Sequence, residues 1–450
     1  MTEKVKQQHM FSNKMIAGIL IPVVLEQLLN SIMGTADTMM VSNIGSAAIS
    51  AVSLVDSINI LVIQAFSALA AGGAIVCSQY IGQQNKKMAN ESARQVLFII
   101  TAISIAVSVL CLGFKKPLLR LIFGSVEADV MRASETYFFY TAISFPFIAA
   151  YDSAASIFRA QENTKGPMLI SMISNAMNIV GNAIMIWIFH MGVAGAAIST
   201  LVSRIFCAVV VLIQLRKDRQ PIVVRDYLKI RPDWAMIRRI LGIGIPSGVE
   251  NSMFQLGKIA VLSLVSGLGT ASLAANAVSN NIANFAILPG MSFGFALLTV
   301  CAQCVGAGDF EQVKYYTRHM MRVENLCLIA TNLIVILSLP FILSIYNLSD
   351  EAAMYTNDII LYHAACVVTI WPLSFTLPNT LRAAADVKVT MVLSIISMWV
   401  FRFGFSYLLT MEFHMGIFGV WVAMTIDWLV RGIFFVCRYK SGRWQKIIFS

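Results

Sequence analysis

Long apolar runs alternate with short polar clusters along the whole 450-residue chain. A helix that crosses a membrane needs about 20 apolar residues. The runs predict twelve such helices, near 12–42, 47–82, 91–114, 129–159, 166–189, 192–215, 237–266, 271–305, 311–345, 353–384, 388–411 and 415–437. Several are longer than a span requires, so some helices should tilt, kink or protrude. Pro22, Pro146, Pro246, Pro289, Pro372 and Pro378 are the expected kink sites, because proline removes a backbone donor. The runs are continuous rather than alternating every second residue, which argues against a membrane β-barrel.

Composition strengthens this picture. Hydrophobic residues make up 58% of the chain and charged residues 12%. A soluble domain averages roughly 45–50% apolar and about 25% charged. An ordinary soluble enzyme and a disordered chain are both excluded. The net charge of +10 would suggest a nucleic-acid partner in a soluble protein. Here the basic residues sort by side instead. The N-terminal Lys4, Lys6 and Lys14, the stretch from Arg216 to Arg239 and the tail from Arg438 to Lys446 fall together with most of the rest. Lys115, Lys116, Arg120 and Arg132 fall on the opposite side. Such a bias places both termini in the cytoplasm and requires an even number of spans. The first apolar run lacks a cleavage site, so it is expected to be a retained span.

The chain repeats itself at an offset of about 224 residues. "IPVVLEQ" at 21–27 matches "IPSGVEN" at 245–251, and "VCSQYIGQ" at 76–83 matches "VCAQCVGA" at 300–307. "HMGVAG" at 190–195 matches "HMGIFG" at 414–419. Arg159 and Arg382 match one residue out of step. Six spans per half make the repeats parallel, related by an axis along the membrane normal, with a substrate site near the midplane between them. The expected organisation is a lobe over 1–215, a basic cytoplasmic linker over 216–239 and a second lobe over 240–450.

Ionisable residues inside spans are functional candidates, because each costs roughly 2.5–3.5 kcal/mol to insert. Glu26 and Asp37 lie eleven residues apart, about three helical turns, so they share one face with Asn30. Asn178 and Asn182 lie one turn apart, with Ser171, Ser174 and Asn175 continuing their polar face. Thr200 stands in the next span. Carboxylate, amide and hydroxyl oxygens suit a small hard cation; amides in spans also serve as packing contacts between helices. The second half is not a copy. Glu250 matches Glu26, but Val261 stands opposite Asp37, and Lys258 and Arg402 are added. Lys258 could neutralise Glu250, and Arg402, Asp427 and Arg431 read as a charge-compensated network. Asp152 is a weaker candidate, with Arg159 two turns away. Cys301 and Cys304 form a C-x-x-C whose repeat counterpart is Cys77 and Tyr80, so a redox role is not expected. No metal spacing or phosphate loop occurs, and the 24 Met and 27 Phe could line an adaptable pocket for flat cations.

Pro22, Glu26, "GTADTMMVSNIGSAAISAVS" at 34–53, "QYIGQ" after the second span, "RAQENTKGPM" at 159–168 and "GVAGAAIST" at 192–200 together resemble the multidrug and toxic compound extrusion (MATE) family. The resemblance covers essentially the whole chain. It implies an all-α membrane protein of twelve helices in two six-helix lobes, not an enzyme. It implies an antiporter that exports organic, mostly cationic compounds in exchange for H+ or Na+, without a cofactor. It further implies a monomer in the bacterial plasma membrane, in contact with lipid and with no nucleic-acid partner. The first-lobe cation site it implies is Asp37, Asn178, Asn182 and Thr200. Asn182 stands where the family often has Asp, which removes one carboxylate. Glu26, Glu250, Lys258 and Arg402 are candidates for substrate recognition or second-lobe coupling. The related lipid-linked-precursor flippases, with a more basic cavity, are the alternative.

Overall fold

The computed structural model describes residues 9–42, 44–124, 127–217, 220–225, 227, 230–346 and 348–449, without the side chains of 35–38, 42, 46 and 447–449. Every regular element among them is a helix: α1 (Asn13–Ser42), α2 (Ser46–Gly82), α3 (Lys86–Gly113), α4 (Lys115–Phe123), α5 (Ala128–Ile143), α6 (Phe145–Ala160), α7 (Lys165–Ala183) and α8 (Gly192–Leu215). The second half supplies α9 (Trp234–Ser266), α10 (Thr270–Gly306), α11 (Phe310–Ile345), α12 (Asp350–Trp371), α13 (Leu377–Ala383), α14 (Val387–Ile396), α15 (Phe405–Met411) and α16 (Gly416–Lys440). Of three π-helical turns, Ile184–Ile188 ends the α7 span, while Pro372–Thr376 joins α12 to α13 and Ser397–Gly404 joins α14 to α15.

Ten of the described helical stretches are long and apolar enough to cross a membrane. The other two expected spans are present in altered form. The run expected over 129–159 is divided at Ser144 into α5 and α6, each 16 residues long. The run expected over 237–266 is the single helix α9, where Glu250, Asn251, Gln255 and Lys258 dilute the apolar sequence. On α11, Leu326, Leu333, Ile334, Leu337 and Phe341 are all exposed, an apolar face suited to lipid.

The prolines divide into two groups. Pro146 follows the division between α5 and α6, Pro372 opens a π turn and Pro378 lies at the start of α13. Pro22, Pro246 and Pro289 sit inside uninterrupted helices, as does Pro340. A proline inside a long span costs one backbone bond, which neighbouring groups can re-satisfy.

The repeat extends to backbone conformation. His190 and His414 both have φ 52°, and the glycines two residues on, Gly192 and Gly416, both have φ 57°. Gln84 and Gly308 take left-handed conformations at the same turn, as do Glu162 (φ 65°) and Ala385 (φ 62°) at another. Asn85 caps α3 by accepting from Met88 N at 3.1 Å, and Asp309 caps α11 by accepting from Gln312 N at 3.0 Å. Side-chain capping satisfies a helix-terminal N–H that would otherwise lack a partner.

Two compact units emerge from the packing: Ile21–Asn251, and Ser252–Ser450 with the first twenty residues. In the first, α2 packs on α3, α5 and α6, while α8 packs on α5, α6 and α7. The basic stretch after α8 is tied down in this unit. Ile222 N donates to Gln161 Oε1 at 2.9 Å, Val223 N to Asn90 Oδ1 at 2.7 Å and Tyr227 Oη to Leu212 O at 2.6 Å. In the second unit α10 packs on α11, α12 and α13, and α16 packs on α12 and α15. Its core gathers Trp371, Trp421 and Trp428 with Val261, Val265 and Leu328. The N-terminal segment belongs here: Phe11 N donates to Tyr316 Oη at 2.6 Å, and Tyr316 Oη donates back to Phe11 O at 2.9 Å.

Candidate functional site

The first unit brings the amides and the threonine together. α7 and α8 approach closely because Gly181 carries no side chain; a Cβ there would stand 2.3 Å from Ser199 Oγ. Asn178 Nδ2 donates to Thr200 Oγ1 at 3.2 Å, and Asn182 Nδ2 lies 3.4 Å from Asn178 Oδ1. Ser199 Oγ donates to Asn178 O at 2.8 Å and Ser174 Oγ to Ser203 O at 3.0 Å, fixing the two helices side by side. Asn182 is fully buried.

Helix α1 docks on the same polar face. Asn30 Oδ1 accepts from Asn175 Nδ2 at 2.8 Å and from Ser171 Oγ at 3.2 Å. Four residues earlier, Glu26 pairs with Arg159, which precedes α7, at 3.3 Å. Contacts that advance along α1 therefore advance along α7 too, and the two helices run in the same direction. The side chain of Asp37 lies outside the described ones; its backbone lies in α1.

Glu26 is buried, and the guanidinium of Arg159 reaches both its oxygens, at 3.3 and 3.4 Å. Arg159 also interacts electrostatically with Asp152, two turns earlier on α6. Asp152 accepts from Ser67 Oγ at 2.5 Å. Tertiary packing thus adds a partner 133 residues distant to the one that helical spacing suggested. Arg204, also inside a span, donates to Ser144 Oγ at 2.7 Å, at the division between α5 and α6.

The second unit arranges its charges differently. Lys258 Nζ, Arg402 and Arg431 all lie over the ring of Phe254, at 5.2, 5.3 and 5.6 Å from its centre. Arg431 also stands 4.3 Å over Phe375 and pairs with Asp427 at 3.7 Å. Ser397 Oγ donates to Asp427 Oδ1. The Asp427–Arg431 part of the expected network is therefore present; among the described residues Lys258 and Arg402 form no ion pair and lie over an aromatic face. Glu250 is buried in α9.

One buried carboxyl escaped the sequence reading. Glu324, in the middle of α11, has no exposed surface and accepts from Thr376 Oγ1 at 2.6 Å. The signal was available, since Glu324 and Asn325 interrupt an apolar run.

These features define a polytopic membrane protein built from two copies of one six-span unit, with polar clusters inside the helix bundles. The MatE family model matches residues 22–184 and again 246–408, each time one repeat. The chain belongs to this family, the multidrug and toxic compound extrusion transporters, and is not an enzyme. Among the relatives, the transporter YisQ of Bacillus subtilis is 27% identical over 94% of this chain and 93% of its own. The probable multidrug resistance protein YoeA of the same organism is 26% identical over 95% and 93%. The probable multidrug resistance protein NorM of Thermotoga maritima is 23% identical over 96% and 93%. The outward-facing structure of a multidrug resistance MATE transporter superposes with a TM-score of 0.89 at 19% identity, covering 96% of both chains. MATE in the straight conformation gives 0.89 at 19% identity over 96% and 97%. The twelve-span, two-lobe layout is thus the fold of this chain.

Proposed function

We propose that this protein is a secondary antiporter that exports hydrophobic, mostly cationic organic compounds in exchange for H+ or Na+. The two lobes work by alternating access, and the protein works as a monomer in the bacterial plasma membrane with both termini cytoplasmic. The observation that carries this reading is the shared polar face of α1, α7 and α8. Asn30 is docked on Ser171 and Asn175. Asp37 follows Asn30 by seven residues, and Asn182 follows Asn175 by seven. Two helices running the same way advance equally, about 10 Å over seven residues. That register favours Asp37 as the carboxylate of the Asn178–Asn182–Thr200 cluster. The relatives named for multidrug resistance favour export over flipping of a lipid-linked precursor.

The coupling ion follows from the charge count. With Asn182 in place of a second acid, a sodium ion at this cluster meets one formal negative charge. A proton satisfies one carboxylate outright, so H+ is favoured. The test is dye efflux from proteoliposomes under a proton gradient alone and a sodium gradient alone, in the wild type and in Asp37→Asn. Proton-driven efflux that vanishes in Asp37→Asn is the expected result. Sodium-driven efflux that persists with the proton gradient collapsed overturns the assignment of the ion, and undiminished efflux in Asp37→Asn overturns the site.

A further inference from the structure

We propose that Glu324 forms a second proton-binding site, in the second lobe and separate from the Asp37 cluster; the inference rests on the antiport reading above. Its carboxyl lies about 21 Å along α11 from the first residue of that helix, well inside the span. Oε1 accepts from the Thr376 hydroxyl at 2.6 Å. Oε2 is buried without a hydrogen-bond partner, and so is Nε1 of Trp371. Both groups converge above Gly290 in α10. A Cβ on that glycine would stand 2.5 Å from Trp371 Nε1 and 3.1 Å from Glu324 Oε1. The missing side chain leaves room for the indole nitrogen and Glu324 Oε1 over the same glycine.

Charges on the surrounding elements are engaged elsewhere. α10 contributes only Cys301 and Cys304 as titratable groups; Cys301 contacts Thr317 and Thr380. In α12, His363 sits edge-on to Trp421 and Trp428 at 5.4 and 5.6 Å, while Asp350, Glu351 and Asp358 belong to the opposite half of that helix. In α13, Arg382 donates to Asn379 at 2.9 Å. In α16, Arg431 pairs with Asp427. On α11 itself Cys327 is the near titratable neighbour. No ion pair of the described residues includes Glu324. A buried carboxylate without a cation costs several kcal/mol, so the group is neutral with a proton bound. When the proton leaves to water, the carboxylate can accept from Thr376 and from the free N–H of Trp371.

The local backbone suits such a switch. Trp371 precedes the π turn Pro372–Thr376 and Thr376 is its last residue, and Trp371 stacks on Phe375 at 3.8 Å. π turns inside helices recur at functional sites. The ligand is a proton rather than sodium. Two carboxyl oxygens and one hydroxyl are too few for a hard cation's shell.

Infrared titration of the purified full-length protein in lipid nanodiscs tests this without substrate or gradient. The wild type should show a buried protonated-carboxyl band that disappears reversibly on raising the pH. Glu324→Gln, which keeps the Thr376 contact, should lack that band. Thr376→Val should shift its midpoint by about one pH unit, the worth of a hydrogen bond to a charged group. Proton release on adding a transported dye should fall in Glu324→Gln, and proton-driven efflux should drop by about tenfold, one pKa unit's worth of driving force, at an unchanged melting temperature. Superimposable titrations of wild type and Glu324→Gln, or full efflux in Glu324→Gln, overturn the site. Gradient-driven efflux missing from the wild type, with the Glu324 band titrating normally, counts against the antiport reading instead.

Discussion

The two halves share a backbone and differ in chemistry. Turn residues take the same left-handed conformations at 190 and 414, at 192 and 416, and at 162 and 385. Yet the polar cluster of the first half has no copy in the second. At the repeat offset, Asp37 becomes Val261 and Thr200 becomes Met424. Val261 and Met424 are packed in the tryptophan core. The second half has acids where the first is apolar or merely hydroxylic: Glu324 stands at the position of Ile100, and Asp427 at that of Ser203. A duplicated fold preserves turns and helix contacts, because those depend on main-chain geometry. It leaves each buried polar position free to diverge, provided that its partner diverges with it.

Exchanging residues between the halves is the strongest way to break this comparison. Asp37→Val should abolish gradient-driven efflux in proteoliposomes while leaving a folded protein. The reverse exchange, Val261→Asp, should place a carboxyl among tryptophans without a cation. It should lower unfolding stability by about 3–5 kcal/mol, read as a drop in melting temperature. A stable, active Val261→Asp protein would show that the second half still tolerates the chemistry of the first.

The next effect concerns the arginines that match in the repeat. Arg159→Met leaves Glu26 buried without its guanidinium and should cost about 3 kcal/mol. Arg382 donates to Asn379 Oδ1 at 2.9 Å, and Arg382→Met in the same melting assay measures what the matched arginine contributes. Equal losses would mean that the two arginines do the same work. A finer contrast comes from Asn182→Asp, which restores a second acid to the first-half cluster. Dye efflux measured against external sodium at fixed pH should then become more sodium-dependent; an unaltered sodium response would place Asn182 outside the ion site.

The smallest effect lies in the segment between the halves. Burial pushes Tyr227 up to about 12, against a smaller opposing pull from Arg216. Its neutral hydroxyl donates to Leu212 O. Tyr227→Phe should cost about 1 kcal/mol at neutral pH. Because the folded protein favours the neutral phenol, its contribution is complete below pH 10 and is lost as the pH rises from about 10 to 12. Denaturation of wild type and Tyr227→Phe across that range should converge at the alkaline end.

Much of this protein was legible in the residues alone. Twelve apolar runs, the offset of 224 and the basic loops defined a duplicated helical membrane protein, because span length and hydropathy are local properties of a chain in lipid. The amide pair of α7 and its neighbour Thr200 were visible as one helix face and the next span. Tertiary structure alone decided the rest. It gave Glu26 the guanidinium of Arg159, set three cations around Phe254, and brought Glu324 and Trp371 together above Gly290. Each of those depends on which helices pack side by side and on where a missing Cβ lets them approach. Helical spacing orders side chains within one helix; it carries no information about the neighbour that a buried charge will meet.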